Sequence, residues 1–413
     1  MKGEIIAVGS ELLLGQIANT NAQFISQQCA LHGIPIYYHT VVGDNAQRLR
    51  QVILTAQKRS DVIIFTGGLG PTQDDLTKEI VAEVLGLPLQ YDKETEERIT
   101  SYFQKTGRPM TPNNRKQALT AKDTTVFLNN HGLACGMGLE INGIRYALLP
   151  GPPREMKPMF MNSALPFLLQ QEENGVVHSH VLRFFGIGES QLETELQDLI
   201  SIQTNPTLAP LANDGEVKIR LTASAASIDE AERLMAQVEQ EIIRRVGVFL
   251  YSAQDEDLAE VVIHQLAKKG RTLAVAESCT GGLLAEMLTN IPGSSEVFQG
   301  GFVCYTNQVK ERICGVPAEI LQVHGAVSAE TAATLAENTC KLLQVDYALA
   351  ITGVAGPAPS ENKDPGLVYV GLAQRGKMTT VNTLHLAGVR EEIRIRAAKH
   401  ALSMVLQASK TER

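Results

Sequence analysis

No apolar run in this sequence approaches the ~20 residues that a membrane-spanning helix requires. The first apolar stretch, Ile5-Ile6-Ala7-Val8, is cut short by Gly9-Ser10-Glu11, too early for the apolar region of a signal peptide. The six cysteines (Cys29, Cys135, Cys279, Cys304, Cys314 and Cys340) are scattered without a Cys-x-x-Cys pair, which argues against a disulfide framework or a zinc site. The formal net charge is -8, so the overall balance does not support direct nucleic-acid binding. There is no internal repeat and no low-complexity tract. A cytoplasmic protein without a membrane partner is the expectation.

What remains is a globular composition, 44% hydrophobic and 20% charged over 413 residues, enough for two or three cores. The pattern predicts three units, 1–172, 173–253 and 254–413. In the first, Ile5–Val8, Ile36–Val42 and Asp61–Thr66 read as strands, the last apolar enough for a sheet covered on both faces. Asn21–His32 and a helix capped by Asn45 alternate with them. Asn142-Gly143 between Met137–Ile141 and Ile144–Leu149 is a two-residue hairpin signal, and a helix is expected over about Glu155–Gln170. The second unit reads as strand–helix–strand–helix (Val176–Phe185, Ser190–Leu199, Glu216–Ser224, Ile228–Val246) with few chemical groups. In the third, helices Asp257–Lys269, Ala329–Leu343 and Glu391–Gln407 alternate with strands Thr272–Ala276, Gly301–Tyr305 and Tyr347–Ile351. Gly366–Ala373 and Thr379–Leu386 read as a strand pair.

Two stretches carry candidate chemistry. Strand Asp61–Thr66 runs into Gly67-Gly68-Leu69-Gly70-Pro71-Thr72-Gln73-Asp74-Asp75. Glycines at the carboxyl end of a parallel strand let backbone N–H groups approach an anion, so Gly67, Gly68, Gly70 and Thr72 are candidate ligand contacts. Asp74 and Asp75, with Glu11 from Gly9–Gly15, are candidate ligands for a hard cation; Asn19 and Asn21 reach the same edge. The bland alternative is a tight turn whose acids favour a helix start.

The other stretch is Ala276-Glu277-Ser278-Cys279-Thr280-Gly281-Gly282, at a strand-to-helix turn. A nucleophile there projects from the sheet edge, beside first-turn N–H groups able to stabilise an oxyanion. Ser278 needs a base. Lys310 in Tyr305-Thr306-Asn307-Gln308-Val309-Lys310 is the best candidate, provided burial or a cation keeps it neutral, with His324 and His385 as alternatives. Thr280, Gly281, Gly282, Gly353–Gly356 and the pair Arg390/Arg394 are candidates for holding a phosphate. Taken alone, Ser278 reads as a helix cap, Cys279 as a small buried residue, Lys310 as a solvated lysine and Arg390/Arg394 as a solvated helix face.

Context changes those readings. Gly9–Gly15, Thr66–Asp75, Asn113–Ala118 and Leu149-Pro-Gly-Pro-Pro153 resemble the molybdopterin-binding-like domain of the CinA family. Ala276–Gly282, Gly300–Asn307, Lys310, His324–Ser328 and Thr352–Pro357 resemble that family's C-terminal domain, a PncC-type nicotinamide-nucleotide amidase. The resemblance implies an α/β protein with a doubly wound N-terminal domain, a small α+β (KH-like) middle domain and a C-terminal α/β amidase domain. It implies conversion of nicotinamide mononucleotide to nicotinic acid mononucleotide and ammonia. In that reaction Ser278 is nucleophile, Lys310 base and Tyr305 a polar partner; Asn307 and Gly353 contact substrate, and no metal is used. For the N-terminal domain it implies hydrolysis of ADP-ribose to AMP and ribose 5-phosphate with a divalent metal (cobalt, manganese or magnesium), and for the whole chain a homodimer.

Asp75 takes the place of the aspartate shared with molybdopterin-binding relatives, and Asp74 stands where those relatives often carry a basic residue, so a pterin phosphate would be repelled. Two departures stand out: Pro357–Lys363 replaces a glycine-rich run, and Val389 replaces an acid that would orient Arg390. A non-catalytic nucleotide-binding accessory of competence or DNA-damage responses, and a molybdopterin-handling protein, are the alternatives.

Overall fold

The structure, a computed structural model, describes residues 1–169, 176–213 and 215–411. They divide into two compact units, Met1–Ser179 with Thr222–Met235, and His180–Leu221 with Ala236–Arg413. Three main sheets carry an α/β, three-domain architecture.

The N-terminal sheet has the strand order Ile36–Val42, Gly3–Val8, Val62–Thr66, Ile144–Leu149, Gly136–Ile141, Thr125–Phe127. The first four strands are parallel and the last two antiparallel to their neighbours. Every residue of Val62–Thr66 is buried. Ile63 and Phe65 pack with Leu49, Ile53, Ile80 and Val81 on one face, and Val62 and Ile64 with Ala22, Ile25, Met156 and Met159 on the other. That alternation is what a central strand between two helix layers needs. Asn45 caps its helix by accepting from the Arg48 N–H at 3.0 Å. Asn142 and Gly143 adopt φ 54 and 76, the left-handed pair of a two-residue hairpin turn.

The expected helix over Glu155–Gln170 is interrupted. It runs Pro153–Met159, widens to a π segment at Phe160–Ala164, and resumes over Leu165–Leu169. Pro158 lies inside the first piece and cannot donate to the ladder. Gln170 lies outside the described residues.

The middle sheet has the order Thr207–Asn213, Glu216–Ala225, Val176–Phe185, Leu250–Ser252. Two of its strands were not expected, and the expected helix Ser190–Leu199 is two short ones, Glu189–Glu195 and Gln197–Ile202. Thr207–Asn213 contains Pro210, which breaks the strand signature, but the strand is at the sheet's edge, where a missing donor is tolerated.

The C-terminal sheet has the order Phe298–Val303, Leu273–Glu277, Tyr347–Gly353, Leu367–Gln374, Thr380–His385. Its first three strands are parallel and the last two antiparallel. Leu258–Lys268 and Arg390–Lys410 cover one face and Ala329–Leu342 the other. The carboxyl ends of the three parallel strands therefore share one edge, where ligands bind in such sheets.

Candidate active sites

At that edge the chain leaves Leu273–Glu277 through Ser278–Gly282. The turn is fixed from several sides. The Ser278 N–H donates to the Ile351 carbonyl at 2.9 Å, and the Cys304 N–H to the Glu277 carbonyl at 2.8 Å. Gly281 and Gly282 have φ 62 and 100. A Cβ at Gly282 would come no nearer than 3.7 Å to any neighbour, so glycine is required there by the left-handed backbone and not by crowding.

Glu277 is buried, and its carboxylate accepts from the N–H groups of Gly282, Leu284 and Ala285 at 2.9, 3.0 and 2.8 Å. This corrects the expectation that the first helical turn offers its donors to substrate, because three of them are already taken. The N–H groups of Cys279 and Thr280, the next two in the chain after Ser278, donate to no backbone carbonyl among the described residues.

Three adjacent nucleophile types are separated by their surroundings. Lys310 Nζ lies 3.1 Å from Ser278 Oγ. The Cys279 thiol is pushed up to about 12 by burial, so a thiolate is out of reach near neutral pH. Thr280 is fully buried, its hydroxyl without a partner. Lys310 is itself 1% exposed. Its Nζ also donates to the Cys304 carbonyl at 2.8 Å and the Tyr305 carbonyl at 3.4 Å. Burial pushes its pKa below the ordinary lysine range, against the opposing pull of Cys304, Glu361 and the Cys279 and Cys314 thiols. It lies on Asn307–Arg312, whose cap Thr306 accepts from the Val309 N–H at 3.3 Å.

The cavity over this pair measures about 250 Å³ and is lined by Ser278, Tyr305, Asn307, Lys310, Gly353, Glu361 and Arg390 among others. The aromatic hydroxyl of Tyr305 does not reach Lys310. It accepts from Arg390 at 3.3 Å, and Tyr305 touches Lys310 through its main-chain carbonyl. Arg390 also donates to the Gly356 carbonyl at 2.5 Å, so it is oriented without the acid that Val389 replaces. Val389 keeps the helix start intact by donating its N–H to Glu392 at 3.0 Å. Arg394 is not part of the cavity lining; it holds the nucleophile turn by donating to the Thr280 carbonyl at 2.7 Å. His324 pairs with Glu330 at 3.4 Å, and neither it nor His385 lines the cavity.

The altered loop 357–363 is pinned across the site. The Glu361 carboxylate accepts from the Ala326 and Val327 N–H groups at 3.1 Å each, and Lys363 Nζ donates to the His324 and Val327 carbonyls at 3.2 and 2.5 Å. Glu361 and Glu277 were both missed as site residues. Glu277 stands inside the quoted motif, but as a strand residue it carried no sign that it would turn back to cap the helix.

In the N-terminal domain a cavity of about 440 Å³ is lined by Glu11, Gly67, Gly68, Gly70, Thr72, Asp74 and Asp75, as expected, and also by Asp44 and Glu155. No lysine or arginine is among the described residues lining it. Gly67, at φ 104, passes so close to the Val8 carbonyl that a Cβ would sit 2.1 Å from its oxygen. Asn19 and Asn21 reach the same edge, lining with Glu11 and Gly67 a neighbouring cavity of about 290 Å³; Asn19 also caps a helix, accepting from the Ala22 N–H at 3.1 Å, and Asn21 donates to Thr66 and the Gly151 carbonyl at 2.9 and 2.7 Å.

The expected metal set is not assembled. Among the described residues, the one group of three His, Cys, Asp or Glu side chains whose ligand atoms lie within 4.8 Å of each other is Glu256, Glu260 and His264, and Glu11, Asp74 and Asp75 form no such group. Asp75 is turned back onto its own loop, accepting from the Thr72 N–H and hydroxyl at 2.9 and 2.6 Å. Ser10 similarly occupies Asp44 at 2.8 Å, and Asn129 occupies Glu155 at 2.8 Å. The donors are nonetheless all carboxylate oxygens, the set a hard divalent cation takes.

No helix among the described residues is long and apolar enough to cross a membrane. Residues 255–409 match the CinA C-terminal domain, 4–170 the probable molybdopterin binding domain and 179–252 the damage-inducible protein CinA KH domain. A "Putative competence-damage inducible protein" of Bacillus cereus (strain AH820) is 56% identical over 400 residues, 97% of each chain, and one of Bacillus anthracis (strain A0248) is equally similar. A solved structure, competence/damage inducible protein CihA from Agrobacterium tumefaciens, is 38% identical over 37% of this chain and 94% of its own, with a TM-score of 0.36. The chain belongs to the CinA family of competence/damage-inducible proteins.

Proposed function

We propose that the C-terminal domain hydrolyses the carboxamide of nicotinamide mononucleotide, giving nicotinic acid mononucleotide and ammonia. The observation that carries this is the buried Lys310 amine 3.1 Å from the Ser278 hydroxyl, and the Cys279 and Thr280 N–H groups follow Ser278 in the chain, donating to no backbone carbonyl among the described residues. A lysine kept from charging by burial accepts the serine proton. Ser278 Oγ then attacks the amide carbon, and the oxygen that gains charge lies against those two N–H groups. Lys310 returns the proton to the departing ammonia, and water repeats the sequence in reverse order of leaving group to free the acid. The cavity of about 250 Å³ suits a one-ring nucleotide, with Arg390 at its wall for the phosphate.

We further propose that the N-terminal domain hydrolyses ADP-ribose to AMP and ribose 5-phosphate with a divalent cation. Five carboxylates around one cavity, without a lining lysine or arginine, would repel a diphosphate unless a cation intervened. The same charge disfavours a molybdopterin phosphate. Glu11, Asp74 and Asp75 would hold the cation once Asp75 leaves Thr72, and the cation would supply charge neutralisation of the diphosphate. Both proposals favour an enzyme over a nucleotide-binding accessory.

One assay tests both. The purified chain is given each substrate with and without a chelator. Ammonia release from nicotinamide mononucleotide is expected to persist with chelator, and cleavage of ADP-ribose to stop. Metal-independent ADP-ribose cleavage would sink the second reading, and absence of ammonia release the first.

A further inference from the structure

Among the described residues lining the cavity over Ser278, Glu361 is the one carboxylate. The backbone that carries it is unusual. Glu361 and Asn362 have φ 53 and 55, a left-handed pair in a two-residue turn. The turn is closed by the Ser360 N–H on the Lys363 carbonyl at 3.1 Å and the Lys363 N–H on the Ser360 carbonyl at 2.9 Å. Asparagine adopts that conformation readily, and glutamate does so rarely. Contacts of the carboxylate hold it there. Oε1 accepts from the Ala326 N–H and Oε2 from the Val327 N–H, each at 3.1 Å. Gly325 leaves the room, since a Cβ on it would sit 2.5 Å from Oε2. Lys363 Nζ, 3.6 Å from Oε2, balances the charge, yet the Glu361 side chain stays 32% exposed. The result is a carboxylate fixed from one side and open on the other.

A carboxylate oxygen can accept two hydrogen bonds, and each oxygen of Glu361 has one backbone partner. What remains is a second acceptor position on each of two neighbouring oxygens, and no donor. Two adjacent hydroxyls are the complement of that pattern, and a carboxylate takes a ribose hydroxyl in the same way in dinucleotide-binding folds. We propose that Glu361 is a specificity-determining residue that holds the 2′- and 3′-hydroxyls of the substrate's ribose, a proposal that rests on the amidase reading and deepens it.

The polar groups of the cavity then divide a nicotinamide nucleotide between them. Ser278 and Lys310 take the carboxamide, Arg390 the phosphate, and Glu361 the sugar that joins ring to phosphate. A phosphate dianion has no hydrogen to give and is turned away from oxygens that only accept. The pyridinium ring is a cation, but Lys363 already balances Glu361, so acceptor positions and not net charge are what Glu361 has to offer. Free nicotinamide lacks the diol and leaves those positions unused. The site therefore selects ribosylated amides.

The test compares nicotinamide mononucleotide with its 2′,3′-dideoxy analogue on the full chain. Binding is measured by calorimetry in Ser278→Ala, which lacks the proposed nucleophile, and ammonia release in wild type. The analogue should bind about a hundredfold more weakly, because a site that hydrogen-bonds a hydroxyl rejects a ligand without it. In turnover the same factor should appear in KM, with kcat little changed. Adding Glu361→Ala should bring the two affinities to within about twofold of each other, as a double-mutant cycle requires of a direct contact. That substitution also frees the loop from Ala326 and Val327, so Lys363→Met is the control. It loosens the same loop and keeps the carboxylate, and the discrimination should survive in it. Equal binding of the two ligands in Ser278→Ala, or discrimination that survives Glu361→Ala, would overturn the diol contact. Discrimination in binding without ammonia release by wild type would keep the contact and fault the amidase reading alone. Ammonia release without discrimination would do the reverse.

Discussion

The two domains each bury a lysine, and the two lysines look alike until their surroundings are followed outward. Lys78 in the N-terminal domain donates to the Gln117 carbonyl at 2.9 Å and reaches Cys135 Sγ at 3.5 Å. Lys310 donates to the Cys304 carbonyl at 2.8 Å and reaches Ser278 Oγ at 3.1 Å. Burial lowers the pKa of both. Lys310 and its hydroxyl partner Ser278 line the same cavity, whereas Lys78 is not among the described residues lining that cavity or the one at Gly67–Gly70. A depressed lysine is therefore no sign of catalysis by itself; access to a reacting atom separates base from filler.

The sharpest test of that distinction is to remove each amine. Ser278→Ala and Lys310→Met should each lower ammonia release from nicotinamide mononucleotide by roughly three orders of magnitude or more, as loss of a nucleophile or its base does elsewhere. Lys78→Met should leave it within about twofold, since the hydrogen-bond partners of Lys78, Gln117 and Cys135, belong to the N-terminal domain and sites without shared partners rarely couple. Equal losses from both lysine variants would erase the comparison.

The next effect is pH dependence. In the proposed reaction Lys310 acts as a base when neutral, and burial lowers its pKa, so the neutral fraction grows as pH rises toward and through that value. The rate constant for amide hydrolysis should climb up to about tenfold per pH unit on the acid side and then level off. The plateau should begin below the ordinary lysine range. A rate that instead falls across that limb would assign the proton transfer to another group.

Much of this was legible in the sequence because it rests on local chemistry. Asn45 was readable as a cap from its place before a helical pattern, and it does accept from the Arg48 N–H at 3.0 Å. Asn142-Gly143 was readable as a hairpin turn because few other pairs tolerate two left-handed residues. Strand Thr207–Asn213 was not, since Pro210 masks it and only its edge position makes it possible. At the sites, Ser278 and Lys310 stood in motifs, whereas their contact depends on two loops meeting at one sheet edge. Arg394 and Tyr305 show the limit: residue type and spacing named them, but which group each would touch was set by tertiary packing. The carboxylates around Gly67–Gly70 show it again, since hydrogen bonds within the loops, invisible to spacing, turn Asp75 back onto Thr72.

Glu277 sharpens the comparison from the other side, as a buried carboxyl group used structurally beside the proposed nucleophile. Its carboxylate closes three N–H groups of the helix start next to Ser278. Glu277→Gln keeps the shape but replaces one acceptor oxygen with a donor facing those N–H groups. A loss of about 1–3 kcal/mol in stability is expected from the unsatisfied groups, with a lower rate constant for amide hydrolysis and little change in KM, because the turn loosens without any substrate contact being removed. Denaturant unfolding and steady-state rates measure the two. A rise in KM alone would instead make Glu277 a substrate ligand.

The smallest effect concerns Lys78 and is read in stability, not rate. Its folded pKa lies below the unfolded value, so between the two the unfolded chain binds a proton that the native chain does not. Stability therefore rises with pH across that window and is fully penalised below the folded value. Lys310 adds a slope of the same sign, so wild type alone cannot isolate either lysine. Lys78→Met removes one contribution and leaves the other. The Gln117 carbonyl keeps the Cys135 N–H at 3.3 Å, so the substitution strands no acceptor. Urea unfolding from neutral to alkaline pH should show a shallower rise in the variant and, near neutrality, a stability equal to or above wild type, because a buried charge is costly to hold. An unchanged slope would mean that Lys78 titrates alike folded and unfolded, and the likeness between the two lysines would then end at their burial.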